Sequence, residues 1–332
     1  MQISVWDHAR YVCDRQHPFP EMAAQMHLLA EAGVRKCNIY LPTVGNLDAY
    51  LRAAAEVSMA VEARIHPQEA IDHPVLRTMP ETRWQEMEAR HGIRLAAPCP
   101  NHPSFAPGLA AAVARVAEGY AGRLCGVQLD FIRSANSLLS LDYPCECDGC
   151  RALRRKYFGY EVPTEAQRGE PACRYKELAW LNANVRAAVV AVREVTAQYG
   201  LELSIAARSN YLNSLDIPVP PVWGLGPAVT EGQDWVEWAE AGLMDAVVTM
   251  NYHTRREYFR QNLEDHLRLL QDSRVCFCSG IGLSSSMGEL SPGQLRERLQ
   301  LLREKGVTAA YIFNKTNIYS PECLAVLREF AS

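Results

Sequence analysis

Residues 178–210 read LAWLNANVRAAVVAVREVTAQYGLELSIAARSN and contain one complete unit of the fold. The run up to Tyr199 carries apolar residues at helical spacing and stops at Gly200, a residue that accepts the left-handed conformation ending many helices. The next run, Glu202–Ala207, is short and apolar and is followed by polar residues, the pattern of a buried strand. Strand-like runs recur at Gln2–Trp6, Lys36–Leu41, Val61–Ile65, Gly126–Phe131, Asp245–Met250, Val275–Ile281 and Ala309–Phe313, each followed by an amphipathic helical pattern. FPEMAAQMHLLAEAG (19–33) and SPGQLRERLQLLREKG (291–306) also end on glycine, the second after a Ser-Pro start. Eight strands alternating with eight helices predict a single (β/α)8 TIM barrel over residues 1–332. A doubly wound dinucleotide-binding sheet would carry GxGxxG after its first strand, and that motif is missing.

At 332 residues, 48% apolar and 22% charged, the chain can bury a large core. A net charge of -4 with both signs interspersed gives no electrostatic basis for binding nucleic acid or an anionic membrane. No apolar run approaches the roughly 20 residues that span a bilayer. Met1–Trp6 leads straight into a strand instead of a secretory leader, which makes the chain a soluble cytoplasmic protein by expectation. Eleven cysteines, several inside apolar strand runs (Cys37, Cys125, Cys276, Cys278), read as reduced thiols and not as a disulfide framework.

In a barrel of this kind, side chains at the C-terminal strand ends face the mouth where chemistry is done. After strands one to three these are Asp7 and His8, Asn46, and His66. After strands four to six they are Asp130 and Arg133, Arg208 and Asn210, and Asn251 and Tyr252; the last two strands supply Ser279, Asn314 and Lys315. Carboxylates, amides, an imidazole and guanidinium groups around one mouth suit a hydroxyl-rich ligand such as a sugar. Trp223, in PVPPVWGLGP (218–227), is the aromatic placed to stack on a sugar, whereas Trp235 and Trp238 have the spacing of core residues. That proline-rich segment is a candidate for a stiff lid or a homo-oligomer contact.

YPCECDGCRA (143–152) raises a separate question. Cys145, Cys147 and Cys150 lie in an insertion over residues 134–174, after strand four, and their spacing lets three thiolates reach one tetrahedral ion. Cys99 in APCPNHPSF (97–105) is the leading fourth ligand because it follows the adjacent strand three; Cys173 and His102 compete with it, ahead of Glu146 and Asp148. Four thiolates would close the shell, so the expected cofactor is one structural zinc per chain, with no organic cofactor.

The segment CPNHPSF, GVQLDF and CECDGCRALRRKYFG, from Cys99 to Gly159, resembles the family 42 glycoside hydrolases, which carry a zinc cluster on this cysteine pattern. The resemblance implies Cys99, Cys145, Cys147 and Cys150 as ligands. Where that family ends strand four with Asn-Glu, the Glu being its acid/base, this chain has Phe131 and Ile132. The blocks CGVQLDFIR, GLELSIAARSNY, EGQDWVEWAEAGLMDAVVTMNYHT, CSGIGL and EKGVTAAYIFNKTNI resemble, in order, the family-10-like group of hypothetical glycosyl hydrolase barrels. That likeness spans about 190 residues. It implies carbohydrate hydrolysis with Asp130 and Arg133 central. Glycoside cleavage needs two carboxyl groups. Asp130, closing an apolar strand, is the expected first; Glu231 and Asp234 in TEGQDW (230–235), together with Asp7, are the candidates for the second. Asp234 has a rival role as an N-cap, with Glu237 three residues on. The alternative function is a non-hydrolytic carbohydrate-binding or regulatory barrel that has lost its second carboxylate.

Overall fold

A parallel strand in a closed barrel is covered on both faces, by helices outside and by lumen side chains inside. The computed structural model describes residues 1–7, 19–41, 47–94, 96–134, 139–211, 227–314 and 318–331. Its barrel strands are β1 (Gln2–Asp7), β2 (Val34–Leu41), β3 (Ala60–Ile65), β4 (Gly126–Leu129), β5 (Glu202–Ala207), β6 (Ala246–Thr249), β7 (Cys276–Gly282) and β8 (Ala309–Asn314). Every neighbouring pair is parallel, and β8 returns to β1 with Gln2 opposite Ala309, closing the barrel. All eight strands expected from the sequence are therefore present in one TIM-barrel domain, their ends shifted by a residue or two.

Alternation along each strand divides the side chains. Ile3, Val5, Ile39, Val61, Val127, Leu203 and Val247 join helix residues such as Leu29, Val113, Val189 and Leu263 in the main core. Trp6, Ala206, Val248, Cys278 and Tyr311 form a second, lumenal cluster. Gly280 makes room for it: a Cβ there would stand 2.7 Å from the Trp6 ring and 2.6 Å from the Thr249 carbonyl oxygen.

The lumen departs from the usual aliphatic filling. Glu62, fully buried on β3, accepts hydrogen bonds from Asn38 Nδ2 at 2.7 Å, Ser204 Oγ at 2.7 Å and Tyr311 Oη at 3.1 Å. Gln128 extends this network by donating to Ser204 Oγ at 2.9 Å and accepting from Trp6 Nε1. Side chains from β1, β2, β3, β4, β5 and β8 thus meet across the barrel around one carboxylate.

Two long connections stand out. Between β3 and β4 lie helices Glu81–His91 and Phe105–Gly119; between β4 and β5 lie Asp148–Phe158 and the 28-residue Pro171–Gln198. The Ser-Pro start expected near residue 291 is a capping box, with Ser291 Oγ accepting from Gln294 N. Among the described residues, no helix is long and apolar enough to cross a membrane.

Removing the Glu62 carboxylate strands three buried donors at once. Glu62→Ala should lower unfolding free energy by about 3 kcal/mol, and Tyr311→Phe by about 1 kcal/mol, in urea titrations at neutral pH.

Candidate active site and metal centre

Asp130 immediately follows β4, and its backbone N–H still donates to Ile65 O on β3 at 3.0 Å. It is 6% exposed, so its charge needs partners. His66, immediately after β3, supplies one: Nε2 lies 3.0 Å from Asp130 Oδ2. Asp130 Oδ1 accepts from Phe131 N at 2.8 Å, and Arg64 Nη1 lies 4.0 Å from Oδ2. Burial pushes the Asp130 carboxyl up, but the His66 charge and hydrogen bond, followed by Arg64 and Arg133, outweigh it and hold the group well below the usual carboxylate range.

The other face of the His66 ring leads to a second carboxylate. Its Nδ1 lies 3.6 Å from Glu69 Oε2, on the short helix Pro67–Ala70, and the Glu69 side chain is 40% exposed. Tyr40 Oη donates to Glu69, and the Tyr40 ring centroid lies 4.4 Å from that of His66. One imidazole therefore spans the gap between the two acids.

Arg64 Nη2 also donates to Asp7 O at 3.3 Å, while Asp7 Oδ2 accepts from Tyr50 Oη at 2.9 Å. This arrangement ties Asp7 into the wall of the mouth. Tyr252 packs edge-on against Trp6, with its phenol raised well above its ordinary value by burial and then by the Asp130 charge.

The two carboxylates expected in TEGQDW have other surroundings. Glu231 is fully buried, accepting from Arg208 Nε at 2.7 Å and Nη2 at 2.8 Å, with Arg133 Nε 3.2 Å away. Burial, then the like charge of Arg208, lowers the Arg133 guanidinium to about 10, so Glu231 is what lets the two cations coexist. Asp234 is the N-cap of helix Trp235–Glu240: its Oδ1 accepts from Glu237 N at 3.2 Å and from Tyr211 Oη at 2.5 Å. A short polar loop reads as exposed; two arginines and a helix start drew it inward.

Of the remaining sequence candidates, Asn210 and Ser279 are fully buried. Asn251 is also fully buried, with Nδ2 donating to Phe259 O at 2.8 Å. Trp235 and Trp238 are core residues, as their spacing implied. His8, Asn46, Trp223 and Lys315, the side chain of Asn314 and most of the proline-rich segment lie outside the described residues. Arg64, Tyr40 and Glu69 escaped the sequence reading. Tyr40 and Arg64 lie inside strands, and for Arg64 the alternation in VEARI (61–65) is what signals an inward charge.

The cysteine question resolves into one group. Cys99, Cys145, Cys147 and Cys150 are all buried, with their Sγ atoms within 4.8 Å of one another. A tetrahedral ion bound at about 2.3 Å would separate its sulfurs by about 3.8 Å, so the four thiols form a set that can hold a metal ion. The competitors face elsewhere: Cys173 meets Tyr160 Oη at 3.4 Å, and His102 Nδ1 meets Ser104 Oγ at 2.7 Å. Buried Arg154 donates to Cys145 O and pairs through Nε with Glu177 at 2.8 Å, fastening the insertion to helix Pro171–Gln198. A cavity of about 20 Å³, room for one water, is lined by Cys99, Cys145 and Ser134, and Ser134 N donates to Glu231 O at 2.7 Å. The thiol group therefore adjoins the segment that carries Arg133.

No protein-family model matches the chain, and no curated protein matches it. Solved structures share its fold at low identity. The glycoside hydrolase domain of PgaB (BpsB) from Bordetella bronchiseptica is 13% identical, with a TM-score of 0.71, covering 100% of this chain and 99% of that one. The catalytic domain of β-amylase from Paenibacillus polymyxa is 12% identical, with a TM-score of 0.61 and coverage of 99% and 97%. The endo-1,4-β-mannanase of Rhizomucor miehei is 10% identical, with a TM-score of 0.58 and coverage of 98% and 94%.

Because the folded-state pKa of Asp130 is depressed, its contribution to stability is complete above the unfolded value near 3.9 and is lost as pH falls toward the folded one. Thermal melts of wild type and Asp130→Asn should accordingly differ at pH 7 and converge as pH drops below about 4. A constant gap across that window would contradict the assignment.

Proposed function

We propose that the chain is a glycoside hydrolase whose reacting groups are Asp130 and Glu69. The observation that carries this reading is the pair of carboxylates on either side of His66, one held ionised and buried, the other half-exposed. With an imidazole contacting both, the separation of the contacting oxygens is at most about 9 Å, under the roughly 9.5 Å that bounds paired glycosidase carboxyl groups. The glycoside hydrolase barrels that share the fold, and the motif resemblance described above, support the same class. Among the described residues, Glu231 is fully buried between arginines and Asp234 caps a helix, and Glu69 is the half-exposed carboxylate beside His66 that we assign as the second group. A non-hydrolytic sugar-binding barrel is the weaker reading, since its premise was the loss of that group.

In the proposed reaction the bond between the anomeric carbon and the leaving oxygen breaks, the electron pair goes to that oxygen, and Glu69 protonates it. A carboxylate with so low a pKa is a weak base, so Asp130 acts first through charge, facing the positive charge that grows on the anomeric carbon. Water bonded to such a carbon becomes strongly acidic; its proton passes to Asp130 and on to solvent, and Glu69 takes a proton back from solvent, which restores both groups. His66 sits between the acids and fixes the Asp130 rotamer, while Arg64 and Arg133 keep Asp130 ionised.

At the four thiols we propose one structural zinc, bound by Cys99, Cys145, Cys147 and Cys150. The soft donor set and the absence of an open coordination position fit zinc in a structural role. Elemental analysis should give one zinc per chain, and Cys147→Ser should lower both zinc content and melting temperature; full stability without zinc would contradict the site.

Asp130→Asn should lower turnover by several orders of magnitude with substrate affinity nearly unchanged, because it keeps the shape and removes the charge. Glu69→Gln should cost about 10²- to 10⁴-fold on ordinary glycosides and much less on aryl glycosides whose leaving group needs no proton. Release of reducing sugar checks both; wild-type rates in either variant would remove that residue from the mechanism.

A further inference from the structure

Phe131 follows Asp130 directly and is out of place by two ordinary criteria. Its φ is +55°, in the left-handed region that bulky side chains avoid, and among the described residues only Ser58 and His73 share that sign without being glycine. The residue is 41% exposed although every residue from Gly126 to Asp130, and Ile132 to Ser134 after it, is buried. A strained backbone that presents an apolar ring to water is costly twice over.

The surroundings show what the strain achieves. Asp130 Oδ1 accepts the Phe131 N–H at 2.8 Å, and Arg133 N donates to Phe131 O at 2.8 Å, so the residue is locked between the two charged groups of the site. The ring lies 4.9 Å from the His66 ring at a tilt of 51°, and the Arg133 guanidinium carbon sits 4.3 Å from its centroid. Arg133 thus covers one face of the ring and His66 packs against it at a tilt, and the residue still keeps 41% of its surface exposed next to Asp130.

Resting on the hydrolase reading, we propose that Phe131 is the stacking platform of the site. It takes the C–H face of a pyranose ring and so sets the ring plane relative to Asp130 and Glu69. The partner chemistry is a sugar with an unbroken patch of C–H groups on one face, since an aromatic ring offers a flat, apolar, weakly negative surface. The left-handed φ turns the ring outward at a position where the extended strand would have directed it toward packed neighbours.

Three variants separate the ring from the backbone. Phe131→Ala removes the ring and keeps the strained φ, Phe131→Gly removes both, and Phe131→Trp enlarges the platform and reports on it by fluorescence. At an ordinary strand position the alanine variant would melt higher; here the glycine variant should melt higher by about 2 °C. Both small variants should bind tetrasaccharides of glucose, mannose, xylose or N-acetylglucosamine at least tenfold more weakly than wild type, by calorimetry with whichever binds best. In Phe131→Trp the same sugar should shift and quench indole emission. Wild-type affinity in the alanine and glycine variants overturns the platform while leaving the hydrolase reading in place. Wild-type protein that neither binds nor cleaves any of the four sugars overturns both.

Discussion

One side of every strand in a closed parallel barrel faces the lumen, and on β3 that side carries two charges, Glu62 and Arg64. Neither can be left alone in a space that water does not fill. Glu62 draws Asn38, Ser204 and Tyr311 to itself from three other strands. One turn of the alternation higher, Arg64 reaches Asp7 on β1 and Asp130 after β4. The polar core and the proposed active site are therefore successive layers of one system: the lower carboxylate fixes how the strands meet, and the upper guanidinium fixes where the rim acids sit.

The same rule explains the second charge cluster. Arg133 and Arg208 are both buried, and Glu231 pairs with each of them, which offsets the cost of burying two cations together. Ser134 then ties this ion group to the Glu231 backbone and adjoins the thiol group. A metal held there would restrain the segment after β4 from its far side. Asp130 and Phe131 sit at the start of that segment, between a fixed strand and a fixed loop, which is the condition under which a strained residue can persist.

Much of this was legible in the sequence, and the exceptions follow a pattern. The strands were visible because apolar runs alternated with helical periodicity, and Asp130, His66 and Arg133 because they end such runs. Cys99 was legible through the adjacency of consecutive barrel loops. Arg64 and Glu62 were not, because a reading aimed at strand ends passes over charges inside a strand; the alternation in VEARI carried the signal. Glu69 hid in a four-residue helix too short for periodicity to register. The burial of Glu231 was not legible because loop composition reports polarity, and polarity does not distinguish a solvated carboxylate from one buried between arginines.

The central claim is spatial: Asp130, Glu69 and the face of Phe131 converge on one sugar. A crystal structure of Asp130→Asn with a bound oligosaccharide tests it most directly. The account requires the anomeric carbon beside residue 130, the glycosidic oxygen within hydrogen-bond reach of Glu69, and a ring of the sugar lying on Phe131. A sugar bound elsewhere, or one at this rim with its glycosidic oxygen turned away from Glu69, would contradict it.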